Sequence, residues 1–143
     1  MDQAGKSGIR DCHCLGLRRA ARRVSNLYDQ ELQSSGLRAT QFAILALVNE
    51  LEEVSVGDVS ERLGLDRTTA GKNLKPLEKA GLIGVAPANG DRRIRAVRLT
   101  RQGVSVLKEA VPLWRRAQCR FEAANGAKAA QLKAMLKELK TDG

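Results

Sequence analysis

The segment from residue 66 to residue 101 constrains the fold of this chain more than any other. It reads in order as an aspartate N-cap, a basic amphipathic stretch, a glycine, a short apolar run, an arginine-rich turn, a second apolar run and a threonine N-cap. It holds nine basic and three acidic side chains, and so carries most of the net charge of +9 of the 143 residues. A basic helix followed by a basic hairpin is complementary to duplex DNA in shape and in charge.

The spacing of apolar residues predicts six helices around this hairpin. The first predicted helix runs from an N-cap at Asp11 to about Gln33, and the second covers about 38–51. The third is capped by Ser55 and ends at about 63, the fourth covers about 67–80, the fifth is capped by Thr100 and ends at about 123, and the sixth covers about 127–140. Between the fourth and fifth helices we predict a strand over 82–86, a turn at 87–91 and a returning strand through Ile94, Val97 and Leu99. The predicted fold class is mainly α with a small β-hairpin wing: a winged helix-turn-helix flanked by N- and C-terminal dimerisation helices.

The outer helices carry apolar stripes that a small winged helix does not need for its own core. Leu17 and Val24 belong to the first stripe, and Leu132 and Leu136 belong to the last. Because such stripes usually pack against a second copy of the chain, the sequence predicts a homodimer. The chain then divides into a dimerisation helix at 11–34, a winged helix-turn-helix DNA-binding domain at 35–101 and further dimerisation helices at 102–143.

Composition excludes several classes of function. A pI of about 10.0 favours an anionic partner, of which nucleic acid is the first candidate. No apolar run approaches the roughly 20 residues that span a membrane, and no long apolar stretch stands near residue 1, so we expect a cytoplasmic protein without a membrane partner. A single histidine and the lack of a convincing nucleophile–base set argue against an enzyme, and we predict no catalytic residue, cofactor or metal site.

The fourth predicted helix is the candidate for reading DNA, since a helix in the major groove contacts base edges with its N-terminal residues. The predicted contacts with bases or phosphates are Arg67, Thr68, Thr69, Gly71, Lys72, Asn73 and Lys75. Gly71 costs about 1 kcal/mol relative to alanine inside a helix. Close approach of the backbone to DNA would explain this glycine, and so would a neutral surface position.

The turn after this helix is unusually rich in arginine, with Arg92, Arg93, Arg95 and Arg98 within seven residues. An arginine at a hairpin tip can enter the minor groove, where narrow A·T tracts concentrate negative potential. Asp91 stands beside them and can brace one arginine. We therefore predict that Asp91, Arg92, Arg93 and Arg95 complete the DNA-binding surface.

These segments resemble the MarR family of bacterial transcription regulators. The resemblance rests on residues 65–69, 77–83, 91–93 and 97–103, and it extends over about 12–140. It implies a dimer built from the terminal helices, a recognition helix in the major groove and a wing arginine in the minor groove. By position, Arg93 matches that arginine and Asp91 its partner. Members usually repress a nearby gene and leave an inverted-repeat operator when a small-molecule effector binds or a thiol is oxidised.

Three cysteines, an odd number, argue against a disulfide framework. One hypothesis is redox control through Cys14, with Cys119 or Cys12 as the resolving thiol, by resemblance to the organic-hydroperoxide sensors of this family. Cys14 lies 14 residues before Tyr28. That is about 21 Å along one helix, so these two side chains can meet only across a dimer.

Other interpretations of the same residues remain open. Cys14 and Cys119 can be small buried side chains, and Cys12, His13 and Cys14 can be metal ligands, although three successive helical residues point in different directions. The function also has an alternative, a winged helix that serves as a protein-interaction or architectural module. Such a module would lack a palindromic operator and show only weak sequence preference.

Overall fold

The helices and strands follow one another as an α-helical framework interrupted by a small sheet. The computed structural model describes residues 7–142. Its elements are α1 (His13–Leu32), α2 (Ala39–Leu51), β1 (Val54–Ser55), α3 (Val56–Arg62), α4 (Arg67–Lys79), β2 (Ile83–Ala88), β3 (Asp91–Leu99), α5 (Arg101–Asn125) and α6 (Ala127–Glu138). Short 3₁₀ turns at Ile9–Asp11 and Gln33–Ser35 flank α1. The prediction of a mainly α fold with a β-hairpin wing is confirmed.

Three N-caps fix the starts of the helices around the predicted DNA-binding region. The hydroxyl of Ser55 accepts a hydrogen bond from the backbone N–H of Asp58 at 3.0 Å and begins α3. Asp66 begins α4 and Thr100 begins α5 in the same way. A serine or threonine cap contributes about 1 kcal/mol, because it satisfies a helix N–H that has no other partner. All three caps agree with the sequence pattern.

The predicted cap of the first helix is wrong. Asp11 lies in a 3₁₀ turn, Cys12 is the N-cap residue without a side-chain cap bond, and the helix begins at His13. At its other end α1 stops at Leu32, since the following 3₁₀ turn leads into Gly36 with a φ of 78°. The carboxylate of Asp29 then accepts a hydrogen bond from the N–H of Ala39 at 2.7 Å, so that α1 caps α2 from outside.

The sheet has three antiparallel strands in the order β1-β3-β2, one more than predicted. Strand β2 (Ile83–Ala88) also extends beyond the predicted end at residue 86. The reason is that the turn uses only Asn89 and Gly90, and Gly90 has a φ of 93°. Pro87 is tolerated because β2 is an edge strand, and the register shifts directly after it. The wing is consequently a longer finger than the sequence suggested.

One apolar core joins the winged helix-turn-helix to α1 and α5. Its fully buried large side chains are Leu32, Ile44, Leu45, Val48, Val59, Leu77 and Val97. Leu107 and Ala110 of α5 belong to the same cluster. Ile94 does not join it, because this side chain is 44% exposed on the outer part of the wing. Both α1 and α5 therefore contribute to the core around which the DNA-binding region is built.

The chain between α4 and α5 is held by a tight backbone junction. The Thr100 hydroxyl donates to the carbonyl of Gly81 at 2.6 Å, and the Thr100 N–H donates to the carbonyl of Leu82 at 3.1 Å. A Cβ atom on Gly103 would lie 2.0 Å from that Leu82 oxygen, so only glycine fits. The end of α4 and the start of α5 are thus joined through one set of contacts, which we call the α4–α5 junction.

Outside this core, α1, α5 and α6 enclose an apolar cleft of about 790 Å³. Leu17, Val24, Phe121 and Leu136 are among the side chains that line it. No residue of α6 is buried, although it carries several large apolar side chains. Among the described residues, no helix has both the length and the hydrophobicity to cross a membrane.

Candidate nucleic-acid interface

Helix α4 turns one face to the core and leaves a basic face in solvent. Ala70, Leu74 and Leu77 are buried, because their spacing of three and four residues places them on one side. Exposed on the opposite side or its margins are Arg67, Thr68, Lys72, Lys75 and Lys79. The helix therefore presents a polar N-terminal half and a row of lysines, which is the composition that phosphate contacts require.

The first turn of α4 is fixed by Asp66. Its carboxylate accepts the N–H of Thr69 at 2.7 Å and the hydroxyl of Thr69 at 3.1 Å. These hydrogen bonds, that from the backbone foremost, hold the pKa of Asp66 below its ordinary value. Because the hydroxyl of Thr69 donates its proton to Asp66, the Thr69 oxygen is left as a hydrogen-bond acceptor. Thr68, next to it, is exposed.

Asn73 and Gly71 lie on the flanks of the exposed face. The side-chain amide of Asn73 donates one N–H to the carbonyl of Thr69 at 2.9 Å, so its second N–H and its oxygen are left for DNA. Gly71 is half-buried, and a Cβ atom added there would meet nothing within 4 Å. The structure thus gives no packing reason for this glycine.

The wing presents an arginine that is held by a neighbouring carboxylate. Asp91 accepts the backbone N–H of Arg93 at 3.0 Å and its Nε at 3.3 Å, while the guanidinium side chain stays 91% exposed. Hydrogen bonds from Arg93, first from its backbone and then from its side chain, lower the pKa of Asp91. The predicted brace is present, and it selects Arg93 rather than the exposed Arg92 or Arg95.

One arginine of the wing is used inside the protein. Arg98 donates to the carboxylate of Glu53, which lies 45 residues earlier between α2 and β1. The sequence offered no local sign of this pair, since the two residues are distant in the chain and the strand that brings them together was not predicted. Arg98 therefore counts less toward a DNA-binding surface than the other three arginines.

The cysteines are separate from this surface. Cys14 and Cys119 are exposed and Cys12 is half-buried in the protomer, so the interpretation of Cys14 and Cys119 as buried side chains is wrong there. Tyr28 donates its hydroxyl to the amide oxygen of Gln118, and burial, followed by the negative charge of Glu122, raises the Tyr28 pKa. Within residues 7–142, no group of three or more His, Cys, Asp or Glu side chains is placed to hold a metal ion.

A capped basic helix, a three-stranded sheet and a long hairpin with a braced arginine define a winged helix-turn-helix protein. Residues 35–94 match the model of the MarR family. The chain is also 35% identical to the M. tuberculosis transcriptional regulator MosR, whose crystal structure is a complex with DNA. That match covers 90% of this chain and 95% of MosR, with a TM-score of 0.77. The chain belongs to the MarR family.

Two further relatives agree with this assignment. BpsR of Bordetella bronchiseptica, whose DNA binding is regulated by 6-hydroxynicotinic acid, is 26% identical over 93% of this chain and 96% of its own, with a TM-score of 0.79. The HTH-type transcriptional regulator YdgJ of Bacillus subtilis (strain 168) is 30% identical over 69 residues. That match spans 48% of this chain and 42% of YdgJ, less than half of this curated relative.

Proposed function

We propose that this protein is a transcriptional regulator that binds an inverted-repeat DNA operator as a homodimer. The observation that carries the proposal is the pairing of a capped, basic α4 with an exposed Arg93 aimed by Asp91. A helix of this kind suits the wide major groove, and a fixed guanidinium suits the narrow minor groove. The crystal structure of the similar MosR in complex with DNA supports DNA as the partner.

Each group of residues then has a separate role. The N-terminal residues of α4 read base edges, and Thr68 with Lys72 is best placed because both are exposed. Arg67 and Lys75 hold phosphates, as do Arg92 and Arg95 on the wing. The remaining proposed contacts, which are half-buried, are Thr69, Gly71, Asn73 and Asp91. Since phosphate contacts carry no sequence information, specificity rests on α4 and the Arg93 contact.

The homodimer follows from the apolar surfaces that one protomer leaves in water. Met135, Leu136 and Leu139 are 68%, 50% and 59% exposed, and the cleft between α1, α5 and α6 lies beside them. Exposed apolar patches of this kind mark interfaces, and we propose that a second copy covers them. The dimerisation parts are 11–34 and 102–143, with the DNA-binding domain at 35–101 between them.

We propose that the protein acts in the cytoplasm, where its partner is double-stranded DNA. A small-molecule effector would bind in the crevice between the dimerisation and DNA-binding parts and shift the distance between the two recognition helices. By analogy with BpsR and 6-hydroxynicotinic acid, an aromatic acid is the compound class to test first. Such an effector acts only through a difference in its affinity for the free and DNA-bound conformations.

The proposal is tested by a salt-titrated binding assay on the DNA upstream of the gene, with sedimentation of the free protein. We expect a dimer, one protected inverted repeat, and an affinity for it about 10³-fold or more above that for random DNA. The logarithm of the affinity should fall steeply with that of the salt concentration. A protomer that stays single, or a dimer with equal affinity for every duplex, would favour the architectural or protein-interaction module instead.

We further propose that thiol oxidation is one signal that releases the operator. Cys14 is exposed near the start of α1 and Cys119 is exposed late in α5. A hydroperoxide would oxidise the Cys14 thiolate to a sulfenic acid and leave as an alcohol. The thiol of Cys119 from a second copy, or that of Cys12, would then displace water and form a disulfide. Tyr28 would meet Cys14 across the dimer.

A non-reducing gel combined with operator binding checks this signal. An organic hydroperoxide is expected to lower operator affinity at least about tenfold and, for the Cys14–Cys119 pair, to give a cross-linked dimer. Cys14→Ser should abolish both effects. If Cys12 is the resolving thiol, no cross-linked dimer forms on oxidation, and Cys12→Ser should abolish the loss of operator affinity. Unchanged operator affinity together with unchanged free thiols after oxidation would remove the redox proposal.

A further inference from the structure

The root of the wing contains a strained backbone residue. Glu52 has a φ of 64° and a ψ of −46°, and the N–H of Glu53 donates to the carbonyl of Leu51 at 2.7 Å. This is a three-residue γ-turn with a positive φ, a strained conformation for any residue with a side chain. Among residues 7–142 it is also the one non-glycine position with a positive φ. Strain of this kind persists only where neighbouring contacts hold it.

Three successive residues, Glu53 to Ser55, bind two different elements of the DNA-binding region, β3 and α3. Glu53 pairs with Arg98 of β3 at 2.5 Å, Val54 pairs in the sheet with Val97, and Ser55 caps α3. The strained turn determines the direction in which Glu53 leaves α2. The root of the wing is therefore fastened directly to the helix-turn-helix at this point.

We propose that Glu53 is a positioning residue that acts on the wing through Arg98. This role rests on the DNA-binding function proposed above. Arg98 and Arg93 lie on the same strand β3, five residues apart. The strand leaves the sheet as a finger whose outer part, from Arg92 to Arg95, is exposed. A small rotation at the root is magnified at the tip, so the ion pair at Arg98 sets where the Arg93 guanidinium meets the minor groove.

The sign of the expected effect separates positioning from plain electrostatics. Glu53 carries a negative charge on a strongly basic protein, so its removal should tighten DNA binding if charge alone mattered. Positioning predicts the opposite for the operator. A half-buried ion pair that still reaches solvent has a modest effect, so we expect Glu53→Gln to weaken operator binding about threefold to fivefold.

The test is a double-mutant cycle between Glu53→Gln and Arg93→Ala, with Glu50→Gln as the control. Glu50 is exposed at the end of α2 and forms no ion pair within the described residues. We expect Glu53→Gln to weaken operator binding in the parent and to have no such effect when Arg93 is alanine. Glu50→Gln should leave affinity unchanged or slightly raised. The swapped pair Glu53→Arg with Arg98→Glu should restore binding.

Hydrogen exchange of the free protein gives a readout that does not depend on DNA. Amides of β2 and β3 should exchange faster in Glu53→Gln while those of α4 and α5 keep their protection. Equal losses of affinity with and without Arg93, tighter operator binding, or unchanged exchange in the wing would each overturn the positioning role. If the parent protein recognises no operator, the proposed function fails, and faster wing exchange in Glu53→Gln would still show that Glu53 holds the wing.

Discussion

Arg93→Ala is expected to weaken operator binding about 10- to 100-fold while the dimer stays folded. The side chain is 91% exposed and its hydrogen bonds within the described residues go to Asp91, so its loss removes little packing from the protomer. The free energy of unfolding should therefore change by less than about 0.5 kcal/mol. The dimer carries Arg93 twice, so the variant loses two cationic contacts, and the slope of the logarithm of affinity against that of the salt concentration should fall by about 1.8.

The matched control for this variant is Arg92→Ala. Arg92 is exposed beside Arg93 and forms no ion pair within the described part of the chain, so we expect it to contact phosphate as a mobile charge. We expect a smaller loss that is similar for operator and random DNA, whereas Arg93→Ala should reduce the ratio between them. Fluorescence anisotropy with both duplexes at several salt concentrations measures these quantities. Wild-type operator affinity in Arg93→Ala would contradict the wing assignment.

Gly103→Ala should produce the largest loss of stability, about 3 kcal/mol. The new Cβ would lie 2.0 Å from the Leu82 oxygen and 3.0 Å from its carbonyl carbon. Both atoms are backbone, so α5 must move away from the end of α4. That movement would break the bonds of Thr100 to Gly81 and Leu82. Chemical denaturation followed by circular dichroism gives the free energy of unfolding.

Gly71→Ala is the control for the effect of an added methyl group in a helix. Apart from its neighbours in the helix backbone, no atom lies within 4 Å of the added Cβ, so the variant should gain about 1 kcal/mol from helix propensity. Equal stability of Gly103→Ala and the parent would contradict the packing argument. Operator binding by Gly71→Ala also separates the two interpretations of this glycine, because weaker binding indicates close approach of DNA and unchanged binding indicates a neutral position.

The features that sequence predicted correctly are those set by neighbouring residues. Ser55, Asp66 and Thr100 cap the next few N–H groups, and Asp91 braces an arginine two positions away. These contacts depend on local geometry, which spacing encodes. The family resemblance placed them in a shared fold, and the MarR assignment agreed with it.

The features that sequence missed depend on residues that only the fold brings together. Strand β1 has two residues and exists because β3 offers it a partner. The Glu53–Arg98 pair and the cap of α2 by Asp29 likewise join separate elements. At α1, the sequence pattern offered a good cap in Asp11, but the chain uses that residue in a 3₁₀ turn. A local propensity yields where the surrounding backbone takes another path.

The α4–α5 junction would couple the position of α5 to the position of the recognition helix α4, and so to the affinity for DNA. Hydrogen bonds at Thr100 and the close approach at Gly103 leave no slack between the two helices. A tilt of α5 would therefore move α4 with it as one rigid body. In a two-fold dimer, the two α4 recognition helices must lie about one helical turn of DNA apart, about 34 Å. A tilt of α5 that changed this separation would move both recognition helices out of register with the major grooves and lower the affinity for DNA.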